Sequence, residues 1–316
     1  MELETILVTG SLGQIGSELV VKLRKIYGKN NVISTDIQEN FTDTSGIYEI
    51  FDVLNSERLE VLIQKYKVTT VYHLVALLSG TSEKNPKLAW EINTLSLLNI
   101  LNAAKKYHLK VFFPSSIAVF GHNAEKNFTP QNAIQNPSTV YGISKTAGEL
   151  WCQYYYTEFN VDVRSLRFPG LISWKTKAGG GTTDYAVNIF YDAIENEKYE
   201  CYLSENTFLP MLYMDDALNG TIQLMQTKAE KISIRTSYNI GGMSFSPKIL
   251  IEEIQKHIPH FSVIYKPDFR QKIADNWPNS IDDSIAKKDW NWNPKFDLEK
   301  MTTEMIEKLL LKLNIR

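Results

Sequence analysis

Thr9-Gly10-Ser11-Leu12-Gly13-Gln14-Ile15-Gly16 follows the apolar run Thr5-Ile6-Leu7-Val8 and leads directly into a helical pattern. The three glycines recur at a three-residue period at a strand-to-helix turn. Without Cβ atoms, Gly10 and Gly13 make a tight turn and let a diphosphate approach the backbone. Gly16 permits close helix–strand packing, and the helix opening at Gln14 and Ile15 offers unpaired N–H groups. The stretch therefore predicts a parallel α/β fold with a dinucleotide seated on its first crossover turn. A purely structural glycine turn is the competing reading, and the strand-then-helix context weighs against it.

Twenty residues beyond Gly16, the run Val32-Ile33-Ser34-Thr35 ends in Asp36. A carboxylate there accepts hydrogen bonds from both hydroxyls of an adenosine ribose and repels a 2′-phosphate, so the expected cofactor is NAD rather than NADP. A solvated turn aspartate is the alternative.

Working outward, the chain has 316 residues with 34 basic against 36 acidic side chains, a formal charge of −2. Without long blocks of like charge there is no electrostatic case for nucleic acid or a membrane surface, and a small-molecule partner is expected. No apolar stretch approaches the ~18 residues that suggest a membrane span. Met1-Glu2-Leu3-Glu4 enters the first strand without a basic, apolar leader, which leads us to expect a cytoplasmic protein. Cys152 and Cys201 are too few and too far apart for a disulfide framework or a zinc site, so both read as packing residues and no metal is expected.

Apolar runs near 5–9, 32–35, 47–52, 70–75, 110–116 and 162–168 alternate with amphipathic segments near 14–27, 56–66, 86–107 and 141–159. Such alternation predicts parallel strands joined by crossover helices, a Rossmann-type doubly wound sheet held mainly in residues 1–170. Beyond 170 the pattern loosens around Gly179-Gly180-Gly181. A helix follows from about Asp184, then an irregular stretch at 199–213 and shorter helices near 215–227, 247–257 and 297–312. Residues 171–316 are expected to form mainly a smaller substrate-binding region, with some segments returning to the nucleotide-binding domain.

Tyr141 and Lys145 stand at i and i+4 of a helical segment opened by Asn136-Pro137-Ser138-Thr139, so they share one face. The spacing alone is weak; its placement makes it informative. The strand at 110–116 ends in Ser115-Ser116, and the set Ser116, Tyr141 and Lys145 resembles the serine–tyrosine–lysine center of extended short-chain dehydrogenases. The chemistry that such a center implies is explicit. A tyrosine that accepts a proton from an alcohol near neutral pH needs its anion favoured by roughly 2–3 pKa units, about 3–4 kcal/mol. Tyr141 is then the general base, Lys145 lowers its pKa and holds the nicotinamide-ribose hydroxyls, and Ser116 polarises the substrate oxygen. A surface Tyr–Lys pair beside a strand-end serine is the bland alternative. Asn93 is expected to anchor backbone near this site and link Lys145 to solvent, packing or capping being the other possibility. Leu74 and Ala76 are expected to line the nicotinamide side. His73, without a partner at motif spacing, reads as a packed strand histidine.

Beyond the glycine turn and this center, His73 through Ser79, Pro114 through Gly121, Arg167-Phe168-Pro169-Gly170-Leu171-Ile172-Ser173, Gly179 through Tyr185 and Ile273 through Ser280 resemble the L-threonine 3-dehydrogenases of the short-chain, epimerase-like type. The resemblance spans most of the chain. It implies oxidation of the secondary alcohol of L-threonine to L-2-amino-3-ketobutyrate, with hydride passing to C4 of NAD and no zinc. It also implies adenine contacts at Asp52 and Val53 and a cofactor contact at Phe168. Gly180, Thr182 and Thr183 suit a zwitterionic amino acid, Ser79 is a further substrate contact, and Trp277 either closes the cleft or is a buried structural residue. A homodimer is implied, paired through the helices near 86–107 and 141–159, with Leu95, Leu98, Trp151 and Tyr155 as contact candidates or sheet-facing residues. A sugar-nucleotide epimerase or dehydratase uses the same fold and Tyr–Lys pair. Those relatives commonly place an arginine for the sugar-nucleotide diphosphate where this chain has Phe208. A non-catalytic NAD-sensing protein would not require the intact trio.

Overall fold

The computed structural model describes residues 4–39, 45–176 and 179–315. In the first half, strands β1 (Ile6–Thr9), β2 (Val32–Asp36), β3 (Ile47–Ile50), β4 (Thr70–His73), β5 (Lys110–Ser116) and β6 (Val163–Phe168) alternate with helices α1 (Gln14–Tyr27), α2 (Ser56–Tyr66), α3 (Ser79–Lys84), α4 (Pro86–Trp90), α5 (Ser96–Tyr107) and α6 (Val140–Phe159). The second half holds β7 (Gly170–Ile172), β8 (Lys198–Cys201), β9 (Leu209–Tyr213), β10 (Tyr238–Asn239), β11 (Met243–Phe245) and β12 (Ser262–Tyr265). Its helices are α7 (Tyr185–Asn196), α8 (Met214–Gln226), α9 (Pro247–Gln255), α10 (Phe269–Ala274), α11 (Ser284–Trp290) and α12 (Leu298–Leu313).

Seven strands form one sheet in the order β10-β6-β5-β4-β1-β2-β3, every pairing parallel. The period-two alternation of side chains sorts the strands onto two faces. Ile6, Val8, Tyr72 and Phe112 pack with α1, α8 and α11 on one side. Leu7, Val71, Val111 and Phe113 pack with α2, α5 and α6 on the other. Both faces are covered by helices, the arrangement that lets an all-parallel sheet bury continuous apolar strands. Cys152 is buried in the second of these layers, and Cys201 in the C-terminal core.

After β3 the chain crosses back over β1 to lay down β4, so the strand order reverses between β1 and β4. At such a reversal the crossovers diverge and leave a crevice at the carboxyl ends of the strands. The segments that follow β1 and β4 therefore face each other across an opening.

The C-terminal half adds a third core built from α7, α9 and α12 with β8, β9 and β11. It carries a three-stranded sheet, β11-β9-β7, and the parallel pair β12-β8. The region is interleaved with the first: α8 packs on the large sheet, and β10 extends its edge beside β6. The expected continuous helix over 86–107 is instead α4, a π-helical turn at Glu91–Leu95, and α5. Among the described residues, no helix is long and apolar enough to cross a membrane.

Candidate active site

The glycine turn leaves β1 through Gly10, whose φ of 70° lies in the left-handed region. A Cβ on Gly16 would stand 2.2 Å from the Gly10 carbonyl oxygen and 2.8 Å from Ser11 Cα, backbone atoms that cannot yield without undoing the turn. Gly13 caps α1 without a side-chain hydrogen bond, so the first N–H groups of the helix stay available to an anion. Gln14 Nε2 is buried with no partner among the described residues, and Gln14 lines the crevice. A side-chain-free cradle with unused donors fits a dinucleotide diphosphate. At the end of β2, Asp36 accepts from Leu12 N at 3.1 Å and from Ile37 N at 2.9 Å, which holds its carboxylate beside the same turn.

The crevice has a volume of about 460 Å³. It brings together Gly10, Gly13, Gln14, Ile15 and Gly16 from the turn, Leu74, Ala76 and Ser79 from beyond β4, and Ser116, Tyr141, Lys145 and Phe168 from the middle of the chain. Thr182, Thr183 and Trp277 line it from the C-terminal half. Asp36, Asp52, Val53, Asn93 and Gly180 are not part of the lining. For Asp52 and Val53 the reason is local: exposed Asp52 turns its Oδ1 onto Leu54 N at 2.9 Å, and Val53 is buried in the core beneath α2.

Ser116 ends β5 and caps the short turn Ile117–Val119 by accepting from Ala118 N at 3.2 Å. Its hydroxyl also acts on the Tyr141 phenol, favouring the ionised form. Thr139 caps α6, accepting from Gly142 N at 3.0 Å, and so starts the helix that carries Tyr141 and Lys145 into the crevice. Lys145 Nζ donates to the Pro114 carbonyl at 2.6 Å and lies 5.5 Å from the Tyr141 ring centroid. Burial pushes the Tyr141 phenol up to about 12, against the lowering effect of the Ser116 hydrogen bond. Burial likewise brings the Lys145 ammonium down to about 7, with Cys152 and Glu149 opposing. The lowering expected of the Tyr141 pKa drew on Lys145 and an oxidised nicotinamide together; from protein groups alone, desolvation dominates both side chains.

Asn93 sits on the π-helical turn, where the altered winding aims it inward. Its Oδ1 accepts from Leu77 N at 2.7 Å, and its Nδ2 donates to Leu77 O at 3.1 Å and to Ser144 Oγ at 3.2 Å. It thereby pins the strand β4 exit to the residue beside Lys145. His73 lies between Thr9 Oγ1 and Ser96 Oγ, each at 2.9 Å, and burial followed by the Lys145 charge brings it down to about 3. It is a neutral, packed histidine.

Two groups escaped the sequence reading. Glu149, one turn beyond Lys145, accepts from Ser115 Oγ at 2.5 Å, from Gln135 at 2.7 Å and in a forked pair from Arg167, whose Nη2 donates at 2.7 Å. This buried cluster braces the back of α6 against β5 and β6. Asp184 lines the crevice and accepts from Gly180 N at 2.7 Å and Gly181 N at 2.6 Å. Neither follows a spacing rule, because their partners are distant in sequence or lie on an irregular loop. Among the described residues, no cluster of histidine, cysteine and carboxylate side chains suits a metal ion.

The model of the NAD-dependent epimerase/dehydratase family matches residues 6–241. An uncharacterized epimerase/dehydratase of Staphylococcus haemolyticus is 49% identical over 309 residues, spanning 96% of this chain and 97% of that protein. Among solved structures, the L-threonine dehydrogenase of Clostridium difficile matches with a TM-score of 0.96 at 48% identity, over 99% of each chain. A monomeric L-threonine 3-dehydrogenase from a metagenome matches with a TM-score of 0.95 at 50% identity, over 98% of this chain and 100% of that one. The family match runs from the first strand of the large sheet through the strand at its far edge and takes in the glycine turn, Ser116, Tyr141 and Lys145, so the chain belongs to the NAD-dependent epimerase/dehydratase family.

Proposed function

We propose that this protein oxidises the secondary alcohol of L-threonine to L-2-amino-3-ketobutyrate. The observation that carries the reading is one crevice shared by the glycine turn, the Ser116–Tyr141–Lys145 group and the hydroxyls of Ser79, Thr182 and Thr183. The likeness to L-threonine dehydrogenases at 48% and 50% identity over nearly the full chain supports the substrate.

The glycine turn would hold the diphosphate of NAD and Asp36 its adenosine ribose, and NAD bound there would supply the hydride acceptor. Tyr141 takes the proton from the carbinol oxygen as the hydride leaves the adjacent carbon. Ser116 donates to that oxygen and keeps it oriented as it becomes a carbonyl. Lys145 would hold the nicotinamide ribose, and the positive charge of an oxidised nicotinamide bound there would offset the burial that holds the Tyr141 proton. Ser79 Oγ and Thr182 Oγ1, 3.4 Å apart, offer paired hydroxyls to the zwitterionic end of the substrate. Trp277, 6% exposed, lines the same crevice and helps to keep water from it.

A two-fold dimer accompanies this reading. Leu88, Trp90 and Leu95 on the α4–α5 segment and Leu150, Trp151 and Tyr154 on α6 are exposed apolar side chains on neighbouring helices, a surface suited to a second copy. Leu98 and Tyr155 turn inward instead; the Tyr155 hydroxyl donates to Asn102 at 2.7 Å. Light scattering at micromolar concentration is expected to give twice the chain mass, and a monomeric mass refutes it.

The test of the activity is NADH formation with L-threonine, L-allo-threonine, L-serine and 3-hydroxybutyrate, alongside product analysis of UDP-sugars, whose epimerisation or dehydration returns the hydride and leaves no net NADH. L-Threonine is expected to give the highest kcat/KM. Turnover of UDP-sugars alone would move the protein to the epimerase reading, against which the exposed Phe208 supplies no charge for a sugar-nucleotide diphosphate.

A further inference from the structure

Lys145 is the one cationic side chain among the described residues lining the crevice, and Asp184 the one carboxylate. Asp184 is 8% exposed and closes the turn Thr182–Asp184 ahead of α7. The Gly180 and Gly181 N–H groups both donate to the same oxygen, Oδ2. Arg270, the described cation whose charge acts on it, is committed elsewhere: it forms a forked pair with Asp268 and stacks over the Tyr202 ring at 3.1 Å. Backbone donors of the glycine loop stabilise this buried carboxylate, yet among the described residues no ion pair matches its charge, and such a charge favours a cationic ligand in the space that it lines.

We propose that Asp184 is a specificity-determining residue that selects substrates bearing an ammonium beside the reacting carbinol. The inference rests on the L-threonine reading above. The α-ammonium of L-threonine lies on the carbon next to the carbinol, and 3-hydroxybutyrate is the same molecule without it. Asp184 therefore separates an amino-acid alcohol from a simple hydroxy acid of equal length. Its second task, holding the Gly180–Gly181 backbone, needs an acceptor oxygen and no net charge, which allows the two roles to be divided.

Asp184→Asn keeps an acceptor for the glycine N–H groups and removes the charge. With NAD affinity and circular dichroism as controls, the KM for L-threonine is expected to rise by about ten- to hundredfold, the scale of a lost charge-assisted hydrogen bond, with kcat changed by a few-fold. The affinity of 3-hydroxybutyrate, measured as substrate or as competitive inhibitor, is expected to stay within about threefold of wild type, a change small against that loss. Equal losses for both molecules indicate a loop-holding role alone and overturn the proposal, as does an unchanged KM for L-threonine. An arm free of folding effects uses the unaltered protein, in which L-threonine must bind at least about tenfold tighter than 3-hydroxybutyrate. Oxidation of L-threonine without that discrimination overturns the role of Asp184 only, whereas no NADH from L-threonine overturns the substrate reading and this inference with it.

Discussion

Replacing Tyr141 by phenylalanine keeps the ring that packs against the C-terminal core and deletes the hydroxyl on which Ser116 acts. The folding cost is that of one hydrogen bond, about 1 kcal/mol. The catalytic cost is the loss of the base, roughly 10²–10⁴ in rate, or about 2.7–5.5 kcal/mol of transition-state stabilisation. The two are therefore separable. With the phenol pushed up to about 12 by burial, protein groups alone leave on the order of one molecule in 10⁴ ionised at pH 8. The sign follows directly: protonated Tyr141 cannot accept the carbinol proton, so activity rises with pH, close to tenfold per unit below the phenol pKa of the ternary complex. The assay is initial-rate NADH formation from L-threonine between pH 6 and 10, with NAD affinity determined by calorimetry and thermal unfolding as a control. Tyr141→Phe should bind NAD as wild type does and lose both the rate and the steep alkaline limb. A kcat within tenfold of wild type, in folded protein with bound NAD, refutes Tyr141 as the base.

Lys145 is brought down to about 7 from 10.5, so between those values the unfolded chain binds the extra proton and the folded stability contributed at this site climbs with pH. Chemical denaturation without added NAD should show wild type gaining on Lys145→Met by on the order of a few kcal/mol from pH 7 to pH 10, and a constant difference refutes the burial argument. Gly16→Ala places a methyl 2.2 Å from the Gly10 carbonyl oxygen, so about 1–3 kcal/mol of stability and much of the NAD affinity should be lost together; calorimetry showing an unchanged NAD Kd excludes the cradle. Arg167→Met strips the fully buried Glu149 of its forked partner and should cost about 3–5 kcal/mol, with Glu149→Met in the same chain recovering part of it in thermal unfolding. Equal stability of Arg167→Met and wild type would show that Ser115 and Gln135 suffice to hold that carboxylate.

The features legible in the sequence are those whose physics is local. Gly10, Gly13 and Gly16 act within one strand-to-helix turn, and Tyr141 and Lys145 share a face because four residues complete a helical turn. The strands β1, β2, β4, β5 and β6 each carry enough apolar residues to announce themselves, and their alternation with amphipathic helices implies a parallel sheet. Short elements escape such reading. β10 has two residues, too few for any period, yet it forms the edge of the large sheet; β8 and β12 pair in parallel across more than sixty residues of chain. The break of the 86–107 helix at Asn93 is equally silent in the periodicity, since a π-helical turn shifts the register without changing composition.

Charge and burial belong wholly to the tertiary structure. The pattern of the sequence placed a lysine beside a tyrosine, but the phenol pKa also depends on how much water the folded chain removes, and from protein groups alone burial raises it. Asp184 reads as an ordinary acid ahead of a helix until the fold closes the glycine loop around it and turns it toward the crevice. Glu149 and Arg167 meet only because α6 packs across β6. Sequence spacing records which residues one turn or strand brings together; desolvation and ion pairing sum over every neighbour that the completed fold supplies.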